Sequence, residues 1–170
     1  MVMIVRTASQ EDIRILSMKL LTLIQDKGGR VYQDNVAKFG IPDEYVEKAF
    51  SEESMLKATQ ERGSTFYLAL EGSVMLGFAQ VNPENEDTVE LDRIVVFPEY
   101  SRKGIGTSLL REALSDQKRK GVKTVIVNAG KDESHARRFY EKNGFKEIRQ
   151  VTIDAPWGSK LALVTYELQL

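Results

Sequence analysis

The spacing of apolar residues changes character along the chain. Ile13, Leu16, Leu20 and Leu23 recur at helical spacing, which predicts an amphipathic helix over 10–26. Ser9 followed three residues later by Asp12 forms a capping box at its start. Before it, Val2 to Arg6 is a short β-rich run, and after it Gly28-Gly29 ends the helix. A polar stretch reaches Gly40. Pro42 opens a second helix with Val46, Ala49 and Phe50 on one side, and Ser51 caps a segment over 52–61. Past Gly63 the period becomes strand-like. Thr65–Leu70 and Val74–Val81 flank Glu71-Gly72-Ser73 as a hairpin, and Asn82–Asp87 is a turn. Thr88–Phe97 is the next strand, ending in the apolar tetrad Ile94-Val95-Val96-Phe97 and stopped by Pro98. A helix over about 105–120 follows, with Gly121 after its last turn. Then come a strand at Thr124–Val127, a helix over 133–143 ended by Gly144, and two closing strands around Pro156-Trp157-Gly158.

This order predicts an α+β (α/β-like) fold, a mixed central sheet of about seven strands flanked by about four helices. At 170 residues and 19.2 kDa the chain suits a single domain, 1–170, with its own core. Charge changes the picture only by exclusion. With 24 Lys and Arg against 25 Asp and Glu, a broad nucleic-acid-binding surface is not expected. No cysteine is present and His135 is the only histidine. A disulfide framework, a zinc-thiolate site, a cysteine nucleophile and a multi-histidine metal site are therefore excluded or improbable, and no metal is expected. No apolar run reaches the length of a membrane span, and the opening residues are too short for a signal peptide. A cytoplasmic protein with no membrane partner is the expectation.

The informative string is Ile94-Val95-Val96-Phe97-Pro98-Glu99-Tyr100-Ser101-Arg102-Lys103-Gly104-Ile105-Gly106-Thr107. It runs from a strand through a break and two cations into Gly-x-Gly at the start of a helix. Free N–H groups and the dipole at a helix N-terminus attract an anion, and glycine lets the backbone approach it. A phosphate or pyrophosphate is the physical reading, although Gly-x-Gly alone also describes an ordinary basic loop. Neither a Walker A string nor a dinucleotide fingerprint is present, because Leu109 stands where the latter needs its third glycine.

Together with Ala136-Arg137-Arg138-Phe139-Tyr140-Glu141-Lys142-Asn143-Gly144-Phe145, that string resembles the GNAT superfamily of acyl-CoA-dependent N-acetyltransferases. The resemblance is close over about 88–147 and is supported by the element order over nearly the whole chain. It implies acetyl-CoA as cosubstrate, transfer by direct attack in a ternary complex, and two neighbouring parallel strands that splay apart. The backbone of Ile94, Val95 and Val96 would then hold the pantetheine arm. Gly104 and Gly106 match the family's phosphate loop, with Arg102, Lys103, Ile105 and Thr107 beside them. Ser101 departs from the usual Arg or Gln, and Glu133 stands where relatives often place Asn. The amide contact to the pantetheine arm is either lost or supplied by Asn128. Arg137 can reach a CoA phosphate, or be a solvated helix face.

Acetyl transfer also needs a neutral amine, an oxyanion donor and a proton for the departing thiolate. Glu90 and Asp92 are two apart, so a regular strand puts them on one face near the splay. Either, or a water, can take the amine proton. Tyr140 matches the family position for a tyrosine beside the CoA sulfur, and an aromatic that only packs is the plainer reading. His135 reads as an exposed helix-start residue and Trp157 as a packing anchor. Arg30, Tyr32, Gln33, Asp34, Pro42, Asp43, Glu44 and Tyr45 fall in the region that lines the acceptor pocket in this family. Their acids and tyrosines suit a polyamine or other small amine. The alternatives are a protein or peptide acceptor, at its N-terminus or at a lysine side chain, and a non-catalytic acyl-CoA sensor on the same fold. A homodimer is the assembly the resemblance allows.

Overall fold

A computed structural model describes residues 2–101 and 104–170. Seven strands form one sheet in the order β1-β2-β3-β4-β5-β7-β6. They are β1 (Met3–Thr7), β2 (Thr65–Glu71), β3 (Val74–Pro83), β4 (Thr88–Val96), β5 (Thr124–Gly130), β6 (Lys146–Asp154) and β7 (Lys160–Gln169). β4 and β5 are the one parallel pair among the described residues, and the other neighbours are antiparallel.

The described residues carry six α-helices, against about four expected for the fold and five located along the chain: α1 (Gln10–Gln25), α2 (Arg30–Asn35), α3 (Asp43–Ala49), α4 (Glu52–Arg62), α5 (Ile105–Arg119) and α6 (Ser134–Lys142). α1 starts as its capping box dictates. The Ser9 N–H donates to the Asp12 carboxylate at 2.8 Å, and the Asp12 N–H donates to the Ser9 hydroxyl at 3.2 Å. Ser51 likewise caps α4. The surplus helix is α2. Its six residues follow the Gly28-Gly29 pair, and Val31 is the one buried side chain in it, so no apolar period announces it.

Alternation along the strands builds two cores. On β2, Phe66, Leu68 and Leu70 point to the side covered by α1–α4, while Tyr67 and Ala69 point to the side covered by α5 and α6. The closing strands are less symmetrical. Every one of the nine residues of β6 is exposed. β5 continues through Asn128, Ala129 and Gly130, paired with Thr165, Val164 and Leu163 of β7. The strand therefore runs three residues past the expected end at Val127, and the connection to α6 is only residues 131–133. Glu133 closes it by accepting the Gly130 N–H at 2.7 Å.

Tyr67 ties β2 to α5. Its hydroxyl donates to Asp116 at 2.5 Å and accepts from Gln117 at 2.9 Å, and Gln117 is only 5% exposed. Tyr67→Phe leaves that amide without its acceptor, an expected loss of about 1–3 kcal/mol. Urea unfolding reads it as a lower midpoint with an unchanged slope. An unchanged midpoint would show that Gln117 is satisfied without Tyr67.

Candidate active site

The parallel ladder between β4 and β5 is three residues long. It pairs Thr88 with Thr124, Val89 with Val125 and Glu90 with Ile126, and there it stops. β5 keeps its antiparallel pairing with β7 to Gly130, and β4 keeps its pairing with β3 to Val96 opposite Gly77. The two strands thus part beyond Glu90, as the resemblance implied. A β-bulge lies beside the parting. Arg93 pairs with Gln80 but Leu91 pairs with Val81, so Asp92 is the extra residue. The bulge makes the strand irregular, yet Leu91 between the two acids faces the α5 core, and Asp92 lines a cavity with Asn82, the partner of Glu90, so Glu90 and Asp92 stay on one side of the sheet.

The hydrogen-bond phase shows what the gap presents. Phe97 N–H donates to Leu76 C=O at 2.9 Å. In an antiparallel pair the residues facing the partner alternate, so Phe97, Val95 and Arg93 turn their backbone groups to β3. Ile94 and Val96 turn theirs to the gap. Of the three residues expected to hold the arm, the backbone of Val95 is therefore committed to β3, and Ile94 and Val96 remain. Backbone groups left open in this way demand a partner.

Past Val96, a single 3-10 turn at Pro98–Tyr100 leads toward α5. Arg102 and Lys103, expected beside the phosphate, lie outside the described residues. Gly104 is the N-cap of α5, in the left-handed region at φ 68°, with no side-chain cap. The helical ladder begins at Ser108 N–H to Gly104 C=O, 3.1 Å. The N–H groups of Ile105, Gly106 and Thr107 therefore have no partner within the helix. A Cβ at Gly104 would meet nothing within 4 Å, so the surface there is open. A Cβ at Gly106 would lie 3.7 Å from Val96 and 3.8 Å from Phe139, which puts the end of β4, the first turn of α5 and α6 at one spot. α2 joins them. Arg30 and Asp34 line a small cavity of about 50 Å³ with Val95, Val96, Pro98 and Ser101.

Tyr140 is 7% exposed. Its ring packs edge-on against Phe139 at 5.5 Å and Phe145 at 5.6 Å. Burial, followed by the negative field of Glu133, holds its phenol above the ordinary value, so it is protonated at neutral pH. The hydroxyl has no hydrogen-bond partner among the described residues. Every fully enclosed side-chain oxygen or nitrogen there has one, so this oxygen is reached from outside the core.

Glu90 accepts from the Asn128 amide at 2.9 Å, and Asn128 Oδ1 accepts from the Thr165 hydroxyl at 2.6 Å. Asn128 is thus engaged at both ends of its amide within the sheet. Burial pushes the Glu90 carboxyl up, Asp92 and Glu84 add to it, and the Asn128 hydrogen bond opposes them. Asp92 lies 3.4 Å from Arg93 and borders a cavity of about 380 Å³ between α3, α4 and β2–β4.

Arg137 is tied to neighbouring elements. It donates to Tyr166 at 3.0 Å, to the Lys131 carbonyl at 2.9 Å and to Glu147 at 3.1 Å, so all three guanidinium nitrogens serve the fold. Trp157 donates to the Phe39 carbonyl at 3.2 Å and packs on Tyr45, as an anchor does. His135 is exposed. The early polar cluster divides. Tyr32 and Asp43, with Lys27, line a cavity of about 610 Å³ on the helical layer that no sheet residue borders, while Arg30 and Asp34 face the loop after β4. Sequence reasoning missed Thr165. Only its register opposite Asn128 reveals it, and no short motif encodes that register.

A splayed parallel pair ending at an uncapped helix N-terminus defines a site for an extended, amide-bearing ligand with an anionic end. The chain belongs to the GNAT acetyltransferase family, whose model matches residues 30–145. Spermidine N(1)-acetyltransferase of Thermoplasma acidophilum is 32% identical over 112 residues, 61% of this chain and 69% of that protein. Human N-acetyltransferase 8 is 29% identical over 110 residues, 62% of this chain but only 48% of its own length. A paia N-acetyltransferase of Thermoplasma acidophilum, solved in complex with coenzyme A, has a TM-score of 0.70 at 26% identity and covers 100% of both chains. No helix among the described residues is long and apolar enough to cross a membrane.

The raised Glu90 carboxyl has a consequence for stability. A carboxyl whose folded pKa exceeds its unfolded value of about 4.3 destabilises the fold above the folded pKa and costs nothing below the unfolded one. Glu90→Gln, which keeps the oxygen that Asn128 bonds, is expected to raise the unfolding midpoint at pH 7 and to match the parent below about pH 4. A midpoint at pH 7 equal to or below the parent's would contradict the raised pKa.

Proposed function

We propose that this protein is an acetyl-CoA-dependent N-acetyltransferase acting on a primary amine. The observation that carries the reading is the parting of β4 and β5 at Glu90 and Ile126, with Ile94 and Val96 open to the gap and α5 opening beyond it. The described residues fit CoA. The free N–H groups of Ile105, Gly106 and Thr107 would take the pyrophosphate, and the backbone of Ile94 and Val96 would take the amides of the pantetheine arm. When bound, acetyl-CoA supplies a thioester activated toward an amine. The protein's part is proton management and orientation. Glu90 takes the proton released as the amine nitrogen bonds the acetyl carbon. Tyr140 gives its free hydroxyl proton to the sulfur as the carbon–sulfur bond breaks, and an N–H at Ile94 stabilises charge on the carbonyl oxygen.

For the acceptor, the similarity to a spermidine acetyltransferase supports a polyamine. A second reading rests on the cavity beside the bulge. Lys48, Arg62 and Arg93 line it against the one acid Asp92, and Lys48 and Arg62 form no ion pair among the described residues. An acceptor seated there carries few positive charges, which favours a peptide N-terminus or a singly charged small amine over a polycation. Thiol release across a panel of spermidine, monoamines and peptides separates the two.

Four outcomes test the activity. CoA is expected to raise the melting temperature and ATP is not. Gly104→Val, which forces a β-branched residue to φ 68°, should weaken CoA binding about tenfold or more. Stabilisation by ATP alone would sink the reading. Tyr140→Phe should lower turnover by about 10²–10⁴-fold with CoA affinity unchanged. Full turnover would leave Tyr140 a packing residue, and a complete lack of transfer by the parent to any amine would favour a sensor.

A further inference from the structure

Glu90 stands at the last rung of the β4–β5 ladder, opposite Ile126. Paired residues share a face and so do residues two apart on a strand, which puts Asn128 on the Glu90 side of the sheet, one step into the gap. Asn128 is itself opposite Thr165 on β7. The three side chains form one row across β7, β5 and β4. The Thr165 hydroxyl donates to Asn128 Oδ1 at 2.6 Å, and Asn128 Nδ2 donates to Glu90 Oε2 at 2.9 Å.

We propose that Asn128 and Thr165 are positioning residues that hold Glu90 as the proton acceptor of the transfer. The direction of the row carries the argument. An amide has an accepting and a donating end. The Thr165 proton on Oδ1 commits the other end, the NH2, to the carboxylate. The bond fixes one oxygen of Glu90 and leaves Oε1 to receive the proton from the amine. It also favours the ionised carboxylate, the form a base needs, against the charges that act on it: Asp92 at the bulge and Glu84 from the turn before β4. Thr165 is 0% exposed and sits between Val164 and Tyr166, both also 0% exposed. The row is therefore anchored in the core, while its far end meets the gap. The assignment rests on the acetyltransferase reading and adds to it two residues that touch neither ligand.

The experiment compares the parent with Glu90→Gln, Asn128→Leu, Thr165→Val and Thr165→Ser. It reads kcat and KM against pH with acetyl-CoA and the best amine of the panel, together with a carbon NMR titration of the Glu90 carboxyl in the ligand-free protein. Loss of a hydrogen bond to a charged group should move the Glu90 titration, and the acidic limb of the rate profile, up by about one to two pH units in Asn128→Leu. KM for acetyl-CoA should stay unchanged. Thr165→Val should shift the titration the same way by less, and Thr165→Ser should restore it. An unmoved titration in folded Asn128→Leu and Thr165→Val overturns the proposal, and so does a raised KM for acetyl-CoA with an unmoved limb. Normal turnover in Glu90→Gln overturns both the proposal and the role of Glu90, while leaving the acetyltransferase reading to the CoA-binding tests.

Discussion

The constraint on which the site depends is a backbone ladder that stops early. Two parallel strands that part after three rungs leave strand amides and carbonyls without neighbours, and such groups must find partners elsewhere. Three features of the chain keep the strands apart. β4 is bound on its far side to β3, β5 is bound on its far side to β7, and the bulge at Asp92 bends β4 where the ladder ends. Neither strand can swing to close the gap without breaking an antiparallel ladder. The gap is thus a property of the whole sheet, and the first turn of α5 sits at its end, with Gly106 beside Val96 and Phe139.

Much of this was legible in the sequence because it is local. The Ser9–Asp12 cap, the hairpin at Glu71-Gly72-Ser73 and the Gly104 turn each follow from a few neighbouring residues. The Gly104–Thr107 and Phe139–Phe145 strings, read together, pointed to the family and hence to the splay. What escaped was non-local or irregular. The bulge at Asp92 arises from the register of β3 against β4, which alternation along one strand does not display. α2 escaped because six residues with one buried side chain carry no readable period. Asn128 was read as a candidate contact to the pantetheine arm, and its two partners lie 37 and 38 residues away in the chain. Arg137 was read as a free cation. Its three acceptors come from β6, β7 and the loop before α6, and none of them is visible from its own helix.

The site also carries opposed electrostatic demands. In its proposed role Glu90 must be ionised to accept a proton, yet burial and two neighbouring acids favour its neutral form. Tyr140, proposed as the proton donor, must keep its proton, and burial with the field of Glu133 favours that. Two groups are thus shifted the same way for different proposed ends. The tyrosine is helped by its surroundings, whereas the glutamate needs the amide that reaches it from β5.

The exposed strand β6 has a bearing on this arrangement that differs in kind from its packing. With all nine of its residues exposed, it contributes little apolar burial and is held by backbone bonds to β7 and by the ion pair of Glu147 with Arg137. Its presence nevertheless makes β7 an interior strand. An edge strand frays and exchanges its amide hydrogens from small openings, whereas an interior strand exchanges only when larger units open. β6 therefore acts as a selvedge for the sheet: fluctuation is taken up at the border, one strand away from Thr165.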